Sequence, residues 1–251
     1  MKILVCIKPV KKNMVSECVD LCEKYCMNPY DMFAFNEAIR IKKEYSDVSV
    51  DCVCMGTQEA AEVLRRCIAL GADDVYLLSD SLFAGSDTIA TTYTLSKFIG
   101  SKNYDHIFGG CKSIDGETGQ VVYGLSERSG FECITRVSKL ISVKENSIEA
   151  IRIGDECDEH FITDEKKIIV FENFSIETSI SLLAIKRARR KEINILSAED
   201  LSADPSKCGQ KGSKTQIVGI IDIVEKRKCQ FLKLDSEENC AFLNKLLSEN
   251  C

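Results

Sequence analysis

The chain has 251 residues, 45% of them hydrophobic and 29% charged, with a net charge of −6. That length holds one large domain, or a domain with an extension, and the composition excludes a disordered chain. The acidic excess argues against a nucleic-acid partner, and no apolar run reaches the ~18 residues of a membrane span, so no membrane insertion is expected.

Ile3–Ile7 is an apolar run of the kind buried on both faces of a parallel sheet. It stops at Lys8, short of the roughly 7–15 apolar residues of a secretory signal, so a cytoplasmic protein is expected. The fourteen cysteines then read as reduced thiols filling the core. Cys18, Cys22 and Cys26 recur at every fourth residue and would share a helix face. Cluster ligands favour tight C-x2-C loops, which are absent, and His106 and His160 are too few for a histidine-rich centre, so no metal is expected. Asn28-Pro29-Tyr30-Asp31 breaks the chain, and Asp31 is a candidate cap for a helix over Met32–Tyr45. Val48–Met55 reads as a second strand, with Cys52 and Cys54 on one core face. Residues 56–70 read as a helix that Gly71 ends, and Val75–Leu78 as a third strand. A helix over Asp87–Ile99, a strand at His106–Phe108 and a helix over Glu117–Ser129 continue the alternation, and Ile134–Val143, Ser147–Ile153 and Ile168–Phe171 add strands. The expected fold is α/β: a Rossmann-like parallel sheet with helices on both faces.

Past residue 190 the pattern loosens. Asp204-Pro205, Gly209 and Gly212-Ser213 mark an irregular stretch, followed by a strand at Gln216–Ile223 and an amphipathic helix over Ser236–Leu247. The expected division is a nucleotide-binding domain over 1–194 and an extended C-terminal arm over 195–251. So little core must lean on its own domain or on a partner.

Two loops carry candidate chemistry. After Phe108 a glycine-rich turn runs through Cys111, Lys112, Ser113 and Asp115 into a helix. Unsatisfied amides at a helix start favour an anion, and Gly116 and Gly119 allow close approach. The loop lies beyond a strand's carboxyl end, where open parallel sheets bind ligands, although it is neither a G-x-G-x-x-G nor a Walker loop and a plain turn has the same pattern. The second loop, Gly85-Ser86-Asp87, opens a helix bearing Thr88, Thr91 and Thr92, either for their hydroxyls or for capping and packing. Lys186–Lys191 is a basic run that suits a solvated helix end, with an acidic partner or a nucleic-acid contact as the alternatives. Two histidines give no nucleophile–base pair, so no catalytic residue is assigned.

These residues carry a resemblance. Lys2–Lys8, Asn28–Asp31 with Glu37-Ala38, Met55-Gly56, Ala69–Asp74, Ser86–Thr91, Ile114–Gln120 and Asp204–Thr215 resemble, in order, segments of the electron transfer flavoprotein beta subunit along nearly its whole length. The resemblance implies an adenine-nucleotide site. Cys6, Lys8, Asn28 and Met55 would line the adenosine, while Asp115, Gly116, Gly119, Gln120 and Val121 would hold phosphate. Asp87, Thr88, Thr91 and Thr92 would face a flavin. FAD is the favoured cofactor, since Gly85–Tyr93 resembles the bifurcating members that take electrons from NADH; AMP held structurally is the alternative. The implied partners are an alpha subunit and an acyl-CoA-type dehydrogenase or other redox protein, with Leu182 as anchor. The chain departs from the family at Gly110-Cys111-Lys112 and at Ser175–Leu182, where an arginine and two prolines are missing. A nucleotide-binding stress-type protein acting alone is the third reading.

Overall fold

Short apolar runs become the parallel strands of a single large sheet in a computed structural model, which describes residues 1–15, 24–144, 147–175, 180–216, 218–219, 241–242, 244 and 248. β1 (Lys2–Cys6) leads into a small antiparallel hairpin, β2 (Pro9–Lys11) and β3 (Tyr25–Met27), and then α1 (Pro29–Glu44). β4 (Ser49–Met55), α2 (Ala61–Leu70), β5 (Val75–Leu78), α3 (Thr88–Gly100), β6 (His106–Gly110) and α4 (Val121–Ser129) alternate. β7 (Glu132–Lys144), β8 (Ser147–Ile153), β9 (Asp158–Thr163), β10 (Lys167–Phe171), α5 (Leu182–Ala188), β11 (Asn194–Leu196) and α6 (Gly209–Gly212) complete the described elements. The strand order is β11-β5-β4-β1-β6-β10-β7-β8-β9, parallel as far as β7 and antiparallel beyond it. The expected α/β sheet is the one observed.

The period of two along β1 and β4 builds two cores. Ile3, Val5, Cys52 and Cys54 face α1 and α2, whereas Leu4 and Val53 face the side that α3 and α4 cover. Cys52 and Cys54 are core residues, as expected. Gly71 ends α2 at φ +123°, a conformation that favours glycine.

Several boundaries differ from the expectations. α1 starts at Pro29, whose fixed φ suits the first helical position, so its cap residue is Asn28 and Asp31 is freed for another role. α4 starts at Val121, because Glu117 and Gly119 adopt positive φ and keep the preceding turn out of the helix. Cys26 lies in β3, not on a helix, and its thiol donates to the Val10 carbonyl; Cys18 and Cys22 lie outside the described residues. The β2–β3 hairpin and β9 carry no alternating apolar pattern and were not expected.

The compact unit runs past residue 194 to Gln216. β11 pairs with β5, and Ala198, Leu201 and Cys208 enter the core on the α3 side. The irregular stretch around Asp204 is thus part of this unit. The strand and helix expected beyond Gln216 lie almost wholly outside the described residues.

At the amino ends of β1 and β4, Asp51 is 1% exposed. Its carboxylate accepts from the Tyr104 hydroxyl (3.0 Å) and the Asp74 amide (3.3 Å) and pairs with Lys2 Nζ (2.9 Å). Asp51→Asn cannot accept on both sides and leaves Lys2 without a countercharge. A loss of about 2 kcal/mol is expected in urea unfolding, and an unchanged midpoint contradicts it.

Candidate functional site

The chain leaves β1 for β4 and β5 on one side, then crosses by α3 to β6 on the other. The strand order reverses between β1 and β6, and such a switch opens a crevice at the strands' carboxyl ends. Lys8, expected to line the adenosine, follows β1, and the loop from Cys111 to Gln120, expected to hold phosphate, follows β6, so the two are brought together there.

Asp31 builds the floor. It sits in the first turn of α1, 6% exposed. One carboxylate oxygen accepts the Lys8 amide (2.8 Å) and the other the Gly110 amide (3.2 Å), which ties the ends of β1 and β6 to α1. Burial pushes its carboxyl up to about 7, although both amides, Asn28 and the Lys8 charge favour ionisation. Gly110 makes this approach possible: a Cβ there would lie 2.5 Å from Tyr30 Cβ and 2.8 Å from Asp31 Oδ1. Asn28, 1% exposed, orders the loop above, donating to the Lys112 carbonyl (2.9 Å) and accepting from the Ile114 amide (3.3 Å).

The loop then turns its polar groups toward Lys8. Lys8 Nζ reaches Asp115 Oδ1 (2.6 Å) and Ser113 Oγ (3.1 Å). Partial burial opposes the Asp115 charge, but Lys8, Ser113 and the Gly116 amide outweigh it and hold the carboxyl below its ordinary range. A Cβ on Gly116 would stand 3.8 Å from Lys8 Nζ and 3.9 Å from Ser113 Oγ. The missing side chain therefore leaves room against an ammonium and a hydroxyl, groups that suit a phosphate, beside the Asp115 carboxylate that the Gly116 amide and Lys8 hold. Gly119, at φ +61°, passes so close to the Cys111 carbonyl that a Cβ would be 2.9 Å from it. Gln120 and Val121 open α4 just beyond. These residues fit an adenylate's phosphate.

Cys6 and Met55, at the carboxyl ends of β1 and β4, are partly buried against the α3-side core. Burial and the neighbouring Asp31 push the Cys6 thiol up to about 12, so it stays a neutral lining group. The second loop is divided. Thr88 and Thr91 are half-buried in the first turn of α3. Thr92 is 3% exposed, donates to the Ile89 carbonyl (2.9 Å) and packs under α4, where a Cβ on Gly124 would be 2.7 Å from its Cγ2. It joins two helices rather than lining the crevice. Asp87 caps α3, accepting the Ile89 and Ala90 amides, so its Oδ1 is engaged at home. Leu182 stands well away in sequence, first residue of α5 and 80% exposed, beside Leu183 at 59%.

Sequence reasoning missed the roles of Asp31, Lys112 and Ser113. Lys112 lies over the Tyr30 ring (5.7 Å) and near Glu117 (3.6 Å). A separate hollow lies between β7, β9 and β10, lined by Glu132, Arg152, Glu159, Phe161 and Lys167. It opens near the amino ends of β7 and β10, and its buried Lys167 is already paired with Glu132 and Glu165. Among the described residues no three acidic, histidine or cysteine side chains are grouped to hold a metal ion, and no helix is long and apolar enough to cross a membrane.

The model of the electron transfer flavoprotein domain matches residues 17–201. The chain is 35% identical to the electron transfer flavoprotein subunit beta of Thermoanaerobacterium thermosaccharolyticum, over 84% of this chain and 80% of that protein. It is 29% identical to the subunit beta of Megasphaera elsdenii, over 99% and 97% of the two chains. It is 31% identical to the caffeyl-CoA reductase-Etf complex subunit CarD of Acetobacterium woodii, over 86% of each.

Proposed function

The chain belongs to the electron transfer flavoprotein family as a beta-type subunit, and from that premise we propose that its crevice binds FAD and that it works in the cytoplasm as a heterodimer with the family's alpha subunit. Electrons would pass through the pair between NADH or a dehydrogenase and a further redox acceptor. The observation that supports this most is the opening between Lys8, Ser113 and Gly116 at the reversal of strand order. FAD, when bound, supplies reversible electron transfer at its ring. The chain's own residues bind and orient. Lys8 and the amides of Gly119–Val121 hold the pyrophosphate with Gly116 leaving room beside them, Cys6, Asn28 and Met55 border the adenosine, and Thr88 and Thr91 offer hydroxyls toward the ring. Lys8 comes to the phosphate already paired with Asp115, so the positive charge is oriented before the ligand arrives.

The test is to purify the chain together with its alpha subunit and quantify FAD and AMP. Two FAD per heterodimer is expected, one in this chain and one carried by the alpha subunit. One FAD with one AMP would replace the FAD assignment by structural AMP, and a nucleotide-free pair would remove both. Lys8→Met is expected to weaken nucleotide binding about tenfold, or about 1.4 kcal/mol. Titration of the stripped protein checks this, with thermal midpoint unchanged because Lys8 is 47% exposed at its side chain.

Leu182 is proposed as a contact for the redox partner. A side chain 80% exposed adds little to the core, so Leu182→Ala should change stability by less than about 0.5 kcal/mol. Electron delivery to a dehydrogenase partner should slow severalfold. Equal rates for the two proteins count against the contact.

A further inference from the structure

The carboxylate of Asp87 has two sides, and the cap on α3 uses only one. Oδ1 accepts the Ile89 and Ala90 amides at 2.9 and 3.0 Å. Oδ2 accepts the Lys214 amide (2.6 Å), the Thr215 amide (3.1 Å) and the Thr215 hydroxyl (3.3 Å). The Asp87 amide in turn donates to Ser213 Oγ (2.8 Å), and that hydroxyl lies 3.0 Å from the Gly85 carbonyl. Residues 85–88 and 213–215 are therefore bonded to each other across more than 120 positions of sequence.

The backbone is shaped for this contact. Gly209 has φ +52°, and a Cβ there would lie 2.2 Å from the Leu82 carbonyl oxygen. Gly85 has φ +72°, and a Cβ there would meet Gln210 Cβ at 3.4 Å, while the Gln210 amide donates to the Ala84 carbonyl (3.0 Å). At residue 209 the two segments lie so close that only glycine fits, and at residue 85 the positive φ favours it. The compact unit ends at Gln216, directly after the bonded residues.

We infer that Asp87 is a positioning residue, a clasp that fastens the root of the C-terminal segment to the turn that opens α3 at the mouth of the crevice. The clasp holds residues 213–215 against the turn, and it makes the turn and that root one body. A group that displaces residues 85–88 then displaces the root with them. Partial burial opposes the Asp87 charge, but the amides of Ala90, Lys214, Thr215 and Ile89 hold the carboxyl below its ordinary range, so the clasp is closed at neutral pH. The inference does not depend on which nucleotide the crevice takes.

The two sides separate by substitution. Asp87→Asn keeps an oxygen for Ile89 and Ala90, and Asn caps helices about as well as Asp. Its amide group then faces the Lys214 and Thr215 amides, donor against donor. Ser213→Ala removes the reciprocal acceptor and leaves Asp87 intact. Hydrogen exchange measured by mass spectrometry on the full-length purified protein reads both sides at once. In both variants, exchange across residues 212–216 is expected to rise at least about tenfold, while residues 88–91 keep wild-type protection. Unchanged exchange at 212–216 in either variant overturns the clasp. Equal acceleration of both segments also overturns it, since Asp87 would then act only as the cap of α3.

Discussion

Gly110→Ala is expected to abolish nucleotide binding and to cost about 4 kcal/mol or more in stability. The added methyl would lie 2.5 Å from Tyr30 Cβ, 2.7 Å from the Tyr30 carbonyl carbon and 2.8 Å from Asp31 Oδ1. None of these is the free end of a flexible side chain. Two belong to the first turn of α1, and the third is the carboxylate that joins α1 to both strands. Relief requires α1 to lift from β6. That breaks the Gly110–Asp31 bond, and the movement reaches Asn28, which holds the phosphate loop. Gly109, one residue earlier, is the control. A Cβ there meets only Val122 Cγ1 at 3.2 Å, a side chain able to shift, so Gly109→Ala should be markedly milder. Chemical denaturation and nucleotide content of the two purified variants decide the matter. Similar losses in both would remove the special status given to Gly110.

That contrast also shows what the sequence makes legible. The order of strands and helices follows from apolar runs and turn residues, because each run commits locally to a period of two or 3.6. The glycine-rich turn after β6 is legible as a turn for the same reason, although a plain turn has the same pattern and only the resemblance gives it a phosphate. Gly110 and Asp31 are not legible. Their importance lies in a contact between residues 79 apart, and Asp31 at a chain break followed by apolar periodicity looks like a helix cap. Proline at position 29 moves the helix start upstream and turns the carboxylate inward. Asp87 is half legible. Its cap follows from its place before Thr88, whereas its bonds to Lys214 and Thr215 depend on how residues 195–216 fold back on the domain. Thr92 is the converse case. A threonine one turn into a helix suggests a hydroxyl held out for a ligand, and only the packing of α4 through Gly124 reveals it as a helix contact.

Asp31→Ala should be the second most damaging change, at about 3–4 kcal/mol, because it leaves the Lys8 and Gly110 amides without their acceptor in a buried place. Asp31→Asn tests the electrostatics. It retains one acceptor oxygen and turns an amine toward the other backbone amide, so it is destabilised at every pH, by about 1–3 kcal/mol. It also abolishes a titration. Burial raises the folded carboxyl to about 7, against an unfolded value of ~4. Between those values the folded chain keeps a proton that the unfolded chain has released. The stability linked to that proton is complete below about pH 4, falls as pH rises through 7, and is absent above. The asparagine variant has no such dependence. The wild type's advantage over Asp31→Asn should therefore be larger at pH 5 than at pH 8, as read from urea unfolding at the two values. An advantage that grows with pH would mean that the Lys8 and Gly110 amides and the Lys8 ammonium prevail over burial, and that the floor of the crevice is an anion well below neutrality. The sign matters for the site above it. A neutral Asp31 leaves Lys8 to Asp115 and an incoming phosphate, whereas an ionised one sets a second negative charge beneath the same ammonium.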